Sequence, residues 1–421
     1  MERRLNKNGV PSDPPAMPDV GLIAMVPEVW GNPWQSRHFI LTRIAQYFHV
    51  VWFNPVREWR QFFGADYPGM SGRFRGGSRG PGFHIYNAGV FVPRLHRPLG
   101  LAKFLQKRRY QSAQSLLRRK GCKKTVLYNW RPDYDAAHDL LKYDVSCYHI
   151  DDEYTFSTTD SPVDPRERTL IERVDQVFIH SPALMKKKGH FNPNTMTVPN
   201  GVEYASYACP QPEPDELKSI PHPRIGYIGY LKTQLDFAKE IELVRMHRDW
   251  SFVFVGPKGQ LGNEAAQLEQ LLSEENVHYL GFKPMPSLPR YAQHMDVLHM
   301  LYKVDDYTKY IYPLKVHEFL ATGNPVVASP IESLRQFEGA IALANTVDEW
   351  SEKIRWALTD EARSDSVVRE RKGIASRHDW DALVAKILRC ICGHLGEEYL
   401  QRFEALQEDS RKKELIGKNA V

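Results

Sequence analysis

Tyr312-Pro313-Leu314-Lys315-Val316-His317-Glu318-Phe319-Leu320-Ala321-Thr322-Gly323-Asn324-Pro325 reads as one helix with both of its ends marked. Pro313 suits the first helical turn, where its missing N–H is no loss, and Gly323 suits the stop, with Asn324-Pro325 behind it. Val316, Phe319 and Leu320 fall at i, i+3 and i+4 and make the apolar face, which leaves Lys315 and Glu318 on another. A helix start presents unpaired N–H groups to a phosphate, Lys315 adds a positive charge there, and the Glu318 carboxylate suits the hydroxyls of a ribose. The ligand with those parts is a nucleotide diphosphate. Taken alone, the same pair also reads as an i, i+3 surface ion pair worth a few tenths of a kcal/mol.

Outward from this helix, the second half of the chain alternates regularly. Strands are predicted at 224–229, 251–255, 277–280, 296–300 and 325–328, with helices near 234–247, 263–273, 287–294 and 314–322. The first half alternates less cleanly: strand 21–26, helix 35–47, strand 50–53, helix 101–120, then strands 125–128, 146–150 and 176–180. Pro210, Pro212, Pro214, Pro221 and Pro223 lie between the two series. The spacing therefore predicts an α/β protein of two Rossmann-like domains facing each other across a cleft. The expected boundaries are a flexible leader at 1–18, a first domain at 19–205, a linker at 206–223, a second domain at 224–375 and closing helices at 376–421. The Gly- and Arg-rich stretch 64–82 is expected to be a mobile insertion in the first domain.

The 421 residues suit two such cores, and 42% hydrophobic with 25% charged residues is the balance of a globular protein. No apolar run approaches the ~18–20 residues of a membrane-spanning helix, and no apolar signal core follows the charged N-terminus. A cytoplasmic protein is expected. Five scattered cysteines suggest neither a disulfide frame nor a zinc site, and buried thiols are expected.

The net charge of +5 hides an asymmetry. Residues 57–124 carry sixteen Lys and Arg against Glu58 and Asp66, while the rest of the chain holds forty basic and forty-nine acidic residues. Within that segment the helix near 101–120 is basic and amphipathic. It suits an anionic membrane surface, with a solvated helix packed on its own domain as the even alternative. Nucleic acid is disfavoured: no zinc-finger spacing, aromatic RNA-binding signature or repeat is present.

The 312–325 block resembles the donor-site motif of GT-B glycosyltransferases, especially the family-4-like "group 1" proteins and the bacterial polysaccharide enzymes related to glucuronosyltransferases and teichuronic-acid transferases. The resemblance covers most of residues 19–395. Val198-Pro199-Asn200-Gly201-Val202-Glu203 is similar to the segment that ends the first domain in that family, and Ile225-Gly226-Tyr227-Ile228-Gly229-Tyr230-Leu231 to the opening of the second. Phe252–Gly256, Tyr279-Leu280-Gly281-Phe282 and Val326–Ser329 are similar to successive strand ends facing the cleft. Ser376–Lys386 resembles the closing helix.

From this resemblance Lys315, with Pro313 and Leu314 before it, is expected to meet the pyrophosphate of a nucleotide-diphosphate sugar. Glu318 is expected to meet the ribose, Gly229 and Tyr230 to approach the donor with their backbone, and Phe282 to lie beside the base. The chain departs from the family where many retaining members have a glutamate eight residues before Glu318, here Tyr310, and where a basic residue often follows the glycine, here Tyr230. These departures bring it nearer to inverting relatives, in which a first-domain carboxylate deprotonates the acceptor.

Asp151 or Asp152, directly after the strand at 146–150, is the candidate base, with Asp151 favoured and Glu153 close enough to help raise a pKa. Gly31, Asn32 and Trp34 in the first strand-to-helix loop are candidate acceptor residues. His149 and His180 are read as site or structural histidines. Asp305 and Asp306 are possible metal neighbours, but no obligatory metal or other cofactor is expected.

The expected activity is sugar transfer to a hydroxyl of a lipid-linked glycan in cell-surface polysaccharide biosynthesis, by an enzyme peripheral to the cytoplasmic membrane face. Two alternatives stand beside it: a sugar-nucleotide 2-epimerase on the same fold, and a non-catalytic nucleotide-binding partner of an assembly complex.

Overall fold

The computed structural model describes residues 5–6, 9–31, 34–58, 76–89, 91–153 and 161–418, with side chains as far as residue 412. Its strands are β1 Val20–Met25, β2 His49–Phe53, β3 Gly77–Gly80, β4 Phe83–Tyr86, β5 Lys124–Asn129, β6 Val145–Ile150, β7 Gln176–Ile179, β8 Thr195–Thr197, β9 Arg224–Ile228, β10 Ser251–Val255, β11 Val277–Gly281, β12 Val297–Met300, β13 Val326–Ala328 and β14 Ala342–Leu343. Between them run α1 Ser36–Ile44, α2 Leu99–Arg119, α3 Ala137–Leu140, α4 Pro165–Arg173, α5 Pro182–Lys188, α6 Tyr204–Ala208, α7 Phe237–Met246, α8 Ala265–Leu272, α9 Leu288–Gln293, α10 Lys315–Thr322, α11 Val347–Ala357, α12 Asp365–Arg377, α13 Trp380–Leu395 and α14 Glu397–Lys418.

Two sheets result, ordered β3-β4-β2-β1-β5-β6-β7-β8 and β11-β10-β9-β12-β13-β14. The only antiparallel pairing among the described strands is β3 on β4. Parallel strands need crossovers that cover both faces of a sheet, so their sequences lose alternation. β1, Val-Gly-Leu-Ile-Ala-Met, is accordingly buried at every position, as are β2, β6, β9 and β10. One face of the first sheet packs against α1 and the closing helices, with Trp380, Leu383, Ile387, Leu388 and Ile391 in one cluster with Leu22, Ala24, Val50 and Tyr128. The other face packs against Tyr110, Ala113 and Leu117 of α2. The second sheet has its own core, built around Ile225, Phe252, Phe254 and Leu298.

Several expectations need correction. The leader packs where it is described: Val10 and Met17 are fully buried in the first core, and the Ala16 and Met17 amides bond Gln46 and Tyr47 carbonyls at 2.8 Å. The stretch read as mobile from 64 to 82 contains β3, whose partner β4 extends the first sheet; residues 59–75 lie outside the described residues. The proline-rich stretch before 224 is docked, with Leu217 and Ile220 in the second core. The closing helix is two helices, because Asp379 interrupts at 378–379: its carboxylate accepts from the Asp381 amide at 2.8 Å and the Tyr204 amide at 3.1 Å. Of the cysteines, only Cys147 and Cys392 are buried, and Cys209 is exposed.

Candidate active site

Parallel strands bring all their carboxyl ends to one edge, so the turns after β9, β10, β11 and β12 meet there. Gly229, after β9, has φ +143°, and a Cβ on it would lie 2.1 Å from Lys315 Cε and 2.5 Å from Lys315 Nζ. Gly256, after β10, has φ +142°, and its Cβ would strike the Gly229 carbonyl at 2.1 Å. Gly229 therefore opens the space that the Lys315 side chain fills, and Gly256 lets the Gly229 turn lie against its own backbone. The ammonium lies 5.2 Å from the centre of the Tyr227 ring, and its charge acts on the buried Tyr302 hydroxyl.

The helix carrying Lys315 begins at that residue, with Leu314 as its N-cap, so Pro313 precedes the helix instead of occupying its first turn. Gly323 ends it in the left-handed conformation, φ +85°, as its position suggested. Glu318, one turn in from Lys315, lies beside Tyr207, and burial raises its pKa against the opposing pull of Lys315 and Tyr207. Phe282 follows Gly281 at the end of β11 and stands 63% exposed, an open aromatic face at the rim. Tyr230 offers its carbonyl to the Tyr227 hydroxyl at 3.0 Å.

On the first sheet, β6 ends at Ile150 and delivers two acids with different surroundings. Asp151 accepts from Arg37, which also bonds Glu28 Oε1 and Gln35 Oε1, each at 2.6 Å. Asp152 has its pKa pushed up to about 6, first by desolvation and then by the neighbouring Asp151 charge. Its charge acts on Lys232 and on Tyr307, both from the second sheet's edge. Asp152, which accepts from the Glu153 amide at 2.8 Å, is thus the carboxylate whose charge is felt at Lys232 and Tyr307, while Asp151 is engaged with Arg37. Glu153 is buried in ion pairs with Lys187 and Lys188, both at 3.3 Å.

The two edges face each other directly. Asn200 Nδ2 donates to the Tyr312 carbonyl at 2.6 Å, and Leu314 packs against the first core. Tyr310, the departure from the retaining pattern, is buried in a cluster with Ile179 and Leu184 of the first sheet's side, under the Lys187 ammonium at 4.9 Å.

His149 is buried, bonded to the Tyr128 hydroxyl at 2.9 Å and stacked on Trp130, with its pKa driven to about 3 by burial. His180 is buried against the Ile150 carbonyl at 3.2 Å. Both are structural neighbours of the acids. Asp305 caps its own turn through the Tyr307 and Thr308 amides at 3.1 and 2.8 Å. Gly31 is an open turn residue at φ +151°. Trp34 packs among Trp30, His38 and Phe39 with part of its ring exposed. Asn32 lies outside the described residues.

Two site residues, Lys232 and Tyr207, escaped the sequence reading, and Arg37, read with Trp34 as acceptor-side surface, instead holds Asp151. Lys232, whose pKa is lowered by desolvation and by the Lys315 charge, supplies beside Lys315 the cation that Tyr230 does not. The signal was there, shifted two positions: Gly229-Tyr230-Leu231-Lys232. Tyr207 left none, and neither did the pairing of Arg37 with Asp151, because each side chain meets its carboxylate from a different part of the chain.

Residues 222–360 match the model of the family described as glycosyl transferases group 1. The chain is 30% identical over 238 residues to TuaH of Bacillus subtilis (strain 168), named as a teichuronic acid biosynthesis glycosyltransferase; the match covers 53% of this chain and 58% of the relative's length. Among solved structures it is similar to HepE of Anabaena in complex with UDP and glucose, at a TM-score of 0.63 and 16% identity, over 88% of this chain and 99% of that one. It is also similar to the sucrose-phosphate synthase of Thermosynechococcus elongatus, at 0.62 and 14%, over 92% and 99%. A third similar structure is an E. coli trehalose-6-phosphate protein bound with UDP-2-fluoro glucose, at 0.59 and 13%, over 87% and 98%. The fold is GT-B.

Proposed function

We propose that this chain, whose residues 222–360 match the glycosyl transferases group 1 family, is a glycosyltransferase acting in cell-surface polysaccharide biosynthesis. It moves a sugar from a nucleotide-diphosphate donor to a hydroxyl of a lipid-linked glycan, at the cytoplasmic membrane face, through the basic segment 57–124. The observation that carries the reading is the pairing across the cleft: a lysine at a helix start, seated over a side-chain-less turn, opposite a carboxylate whose pKa is near 6.

In the proposed step Asp152 takes the proton of the acceptor hydroxyl, whose oxygen forms the new bond to the anomeric carbon from the opposite face. The bond from that carbon to the diphosphate breaks, and the departing charge settles on Lys315, Lys232 and the N–H groups at the start of α10. Glu318 holds the ribose hydroxyls, Gly229 and Tyr230 bring backbone to the diphosphate, Pro313 and Leu314 set the helix start against the first core, and Phe282 covers the base. Gly31, Asn32 and Trp34 border the acceptor side. The single displacement, which inverts the anomeric configuration, is supported by the carboxylate at the end of the first sheet and by Tyr310 at the position where many retaining relatives carry glutamate.

The donor site is tested by melting the protein with UDP, GDP, ADP and their sugars, beside Lys315→Ala. One nucleotide is expected to raise the melting temperature of the wild type and not of the variant. If no nucleotide shifts the wild type in the presence or absence of acceptor lipid, the donor reading fails, and a non-catalytic partner that keeps the fold without binding nucleotide replaces it. Product stereochemistry by NMR tests inversion: retention would remove Asp152 from its role.

A further inference from the structure

The second half of α2 is anchored and the first half is not. Leu117 lies against Gly21 at the start of β1, where a Cβ would meet Leu117 Cδ1 at 2.7 Å, and the Tyr110 ring is 5.5 Å from Phe53 at the end of β2. The helix therefore runs antiparallel to the strands, and its first three turns, 99–109, continue past their carboxyl ends for about 15 Å. That is the side on which Asp152 lies, just past the end of β6.

This projecting end carries apolar side chains that nothing covers among the described residues: Leu99 is 69% exposed, Leu101 46% and Phe104 52%. Phe91, 91% exposed, stands on the segment held to the helix by Arg109, whose guanidinium bonds the Val92 and Pro93 carbonyls at 3.2 and 2.7 Å. One turn below Phe104, on the same side of the helix, a basin of about 540 Å³ opens between α2 and α3. Lys107, Arg108, Gln111, Ser115, Arg118 and Lys142 line it. Asp139 at its rim is matched by Arg173 at 2.9 Å. Among the described residues Lys107, Arg108 and Lys142 form no ion pair with a carboxylate. An apolar tip above a cationic, hydroxyl- and amide-lined basin has the polarity profile of a bilayer edge, with hydrocarbon at one level and phosphate one helical turn away.

We infer that this tip and basin form an anionic-phospholipid site: Leu101 and Phe104 enter the acyl layer, a lipid phosphate sits among Lys107, Arg108 and Arg118, and the cleft opens toward the bilayer. The inference deepens the membrane part of the proposed function and does not depend on the donor chemistry. Lys and Arg alone would give a salt-labile surface attachment; the exposed aromatic and leucines add a salt-resistant part.

The experiment is flotation of the full chain with phosphatidylcholine vesicles, with and without phosphatidylglycerol. Two variants accompany it, Lys107→Glu with Arg108→Glu and Leu101→Ser with Phe104→Ser. Binding to the anionic vesicles only is expected. Charge reversal is expected to weaken it by at least roughly 25-fold, at about fivefold for each basic residue at the surface. The apolar variant is expected to keep low-salt binding and lose binding at high salt. All four positions are exposed, so melting temperatures should match the wild type, and a nucleotide-induced shift, where present, should survive in both variants.

The inference is overturned if the wild type ignores anionic vesicles, if both variants bind as it does, or if millimolar inorganic phosphate displaces it, which would make the basin a soluble-anion site. It is also overturned if the wild type dimerises in the ultracentrifuge and the apolar variant is monomeric, since a second copy would then be what covers the tip. A wild type that floats but shows no nucleotide shift would leave this site standing and remove the donor reading.

Discussion

At the scale of single residues, Asp151 and Asp152 separate what sequence left joined. Adjacent side chains at a strand end point different ways, so one reaches Arg37 and the charge of the other is felt at Lys232. A general base must be ionised, and Asp152 loses its charge as pH falls through about 6. Transferase activity is therefore expected to be level above that value and to drop about tenfold per pH unit below it. Asp152→Asn should lower kcat by ~10²–10⁴ with nucleotide binding retained. A profile that stays flat between pH 5 and 7 would take the role away from Asp152. Gly229→Ala acts on the same centre differently: the new methyl displaces the Lys315 chain from 2.1 Å and demands a left-handed backbone of alanine. A destabilisation of ~1–3 kcal/mol in urea is expected, together with a weaker nucleotide titration by calorimetry. Full nucleotide affinity in that variant would mean that Lys315 does not act from the position seen here.

At the scale of elements, Gly323 is where α10 stops, and its φ of +85° is one that alanine resists. A Cβ there would also meet Val368 Cγ1 at 2.9 Å and Lys372 Cε at 3.0 Å, both on α12. Gly323→Ala should cost ~1–2 kcal/mol in urea denaturation, and an unchanged midpoint would contradict the capping geometry. That stop was legible because its signal is local. So were the buried strands β1, β6, β9 and β10, whose apolar runs have a length that helices do not. β14 is too short to carry a pattern, and β3 is made of Gly77-Ser78-Arg79-Gly80, held by pairing with β4 instead of by β-forming side chains. The start of α10 lies one residue later than the sequence suggests, and Pro313 stands outside it, because 311–313 are drawn out to meet the first half, through the Tyr312 carbonyl and Asn200. Within the site the same rule held. Lys315, Gly229 and Glu318 lie on one motif and one strand turn, whereas Tyr207 on Glu318 and Arg37 on Asp151 are meetings of distant segments.

At the scale of the whole molecule, burial of imidazoles ties stability to pH. His38 and His149 have pKa values lowered to about 3, and His84 and His138 to about 4, in each case chiefly by burial. The unfolded chain takes up protons near pH 6.5, where these folded sites do not, so stability rises with pH across that interval. The contribution is complete above 6.5 and is lost as pH falls toward 3–4, at about 1.4 kcal/mol per pKa unit and site before relaxation. Asp152, Glu28, Glu318 and Asp379, whose pKa values are raised, work in the opposite direction as they neutralise, but the histidines outnumber them, because burial also lowers His49, His180, His247, His278, His317 and His378. Urea unfolding should therefore show a lower midpoint at pH 5 than at pH 7, and an equal or higher one would mean that the histidines titrate normally. Two of them, His149 and His38, border Asp151 and Arg37, so loss of the fold and loss of the base approach each other on acidification. The Asp152 limb near pH 6 has to be read from initial rates on protein shown to be folded at each pH, because only there does it report the chemistry of the cleft.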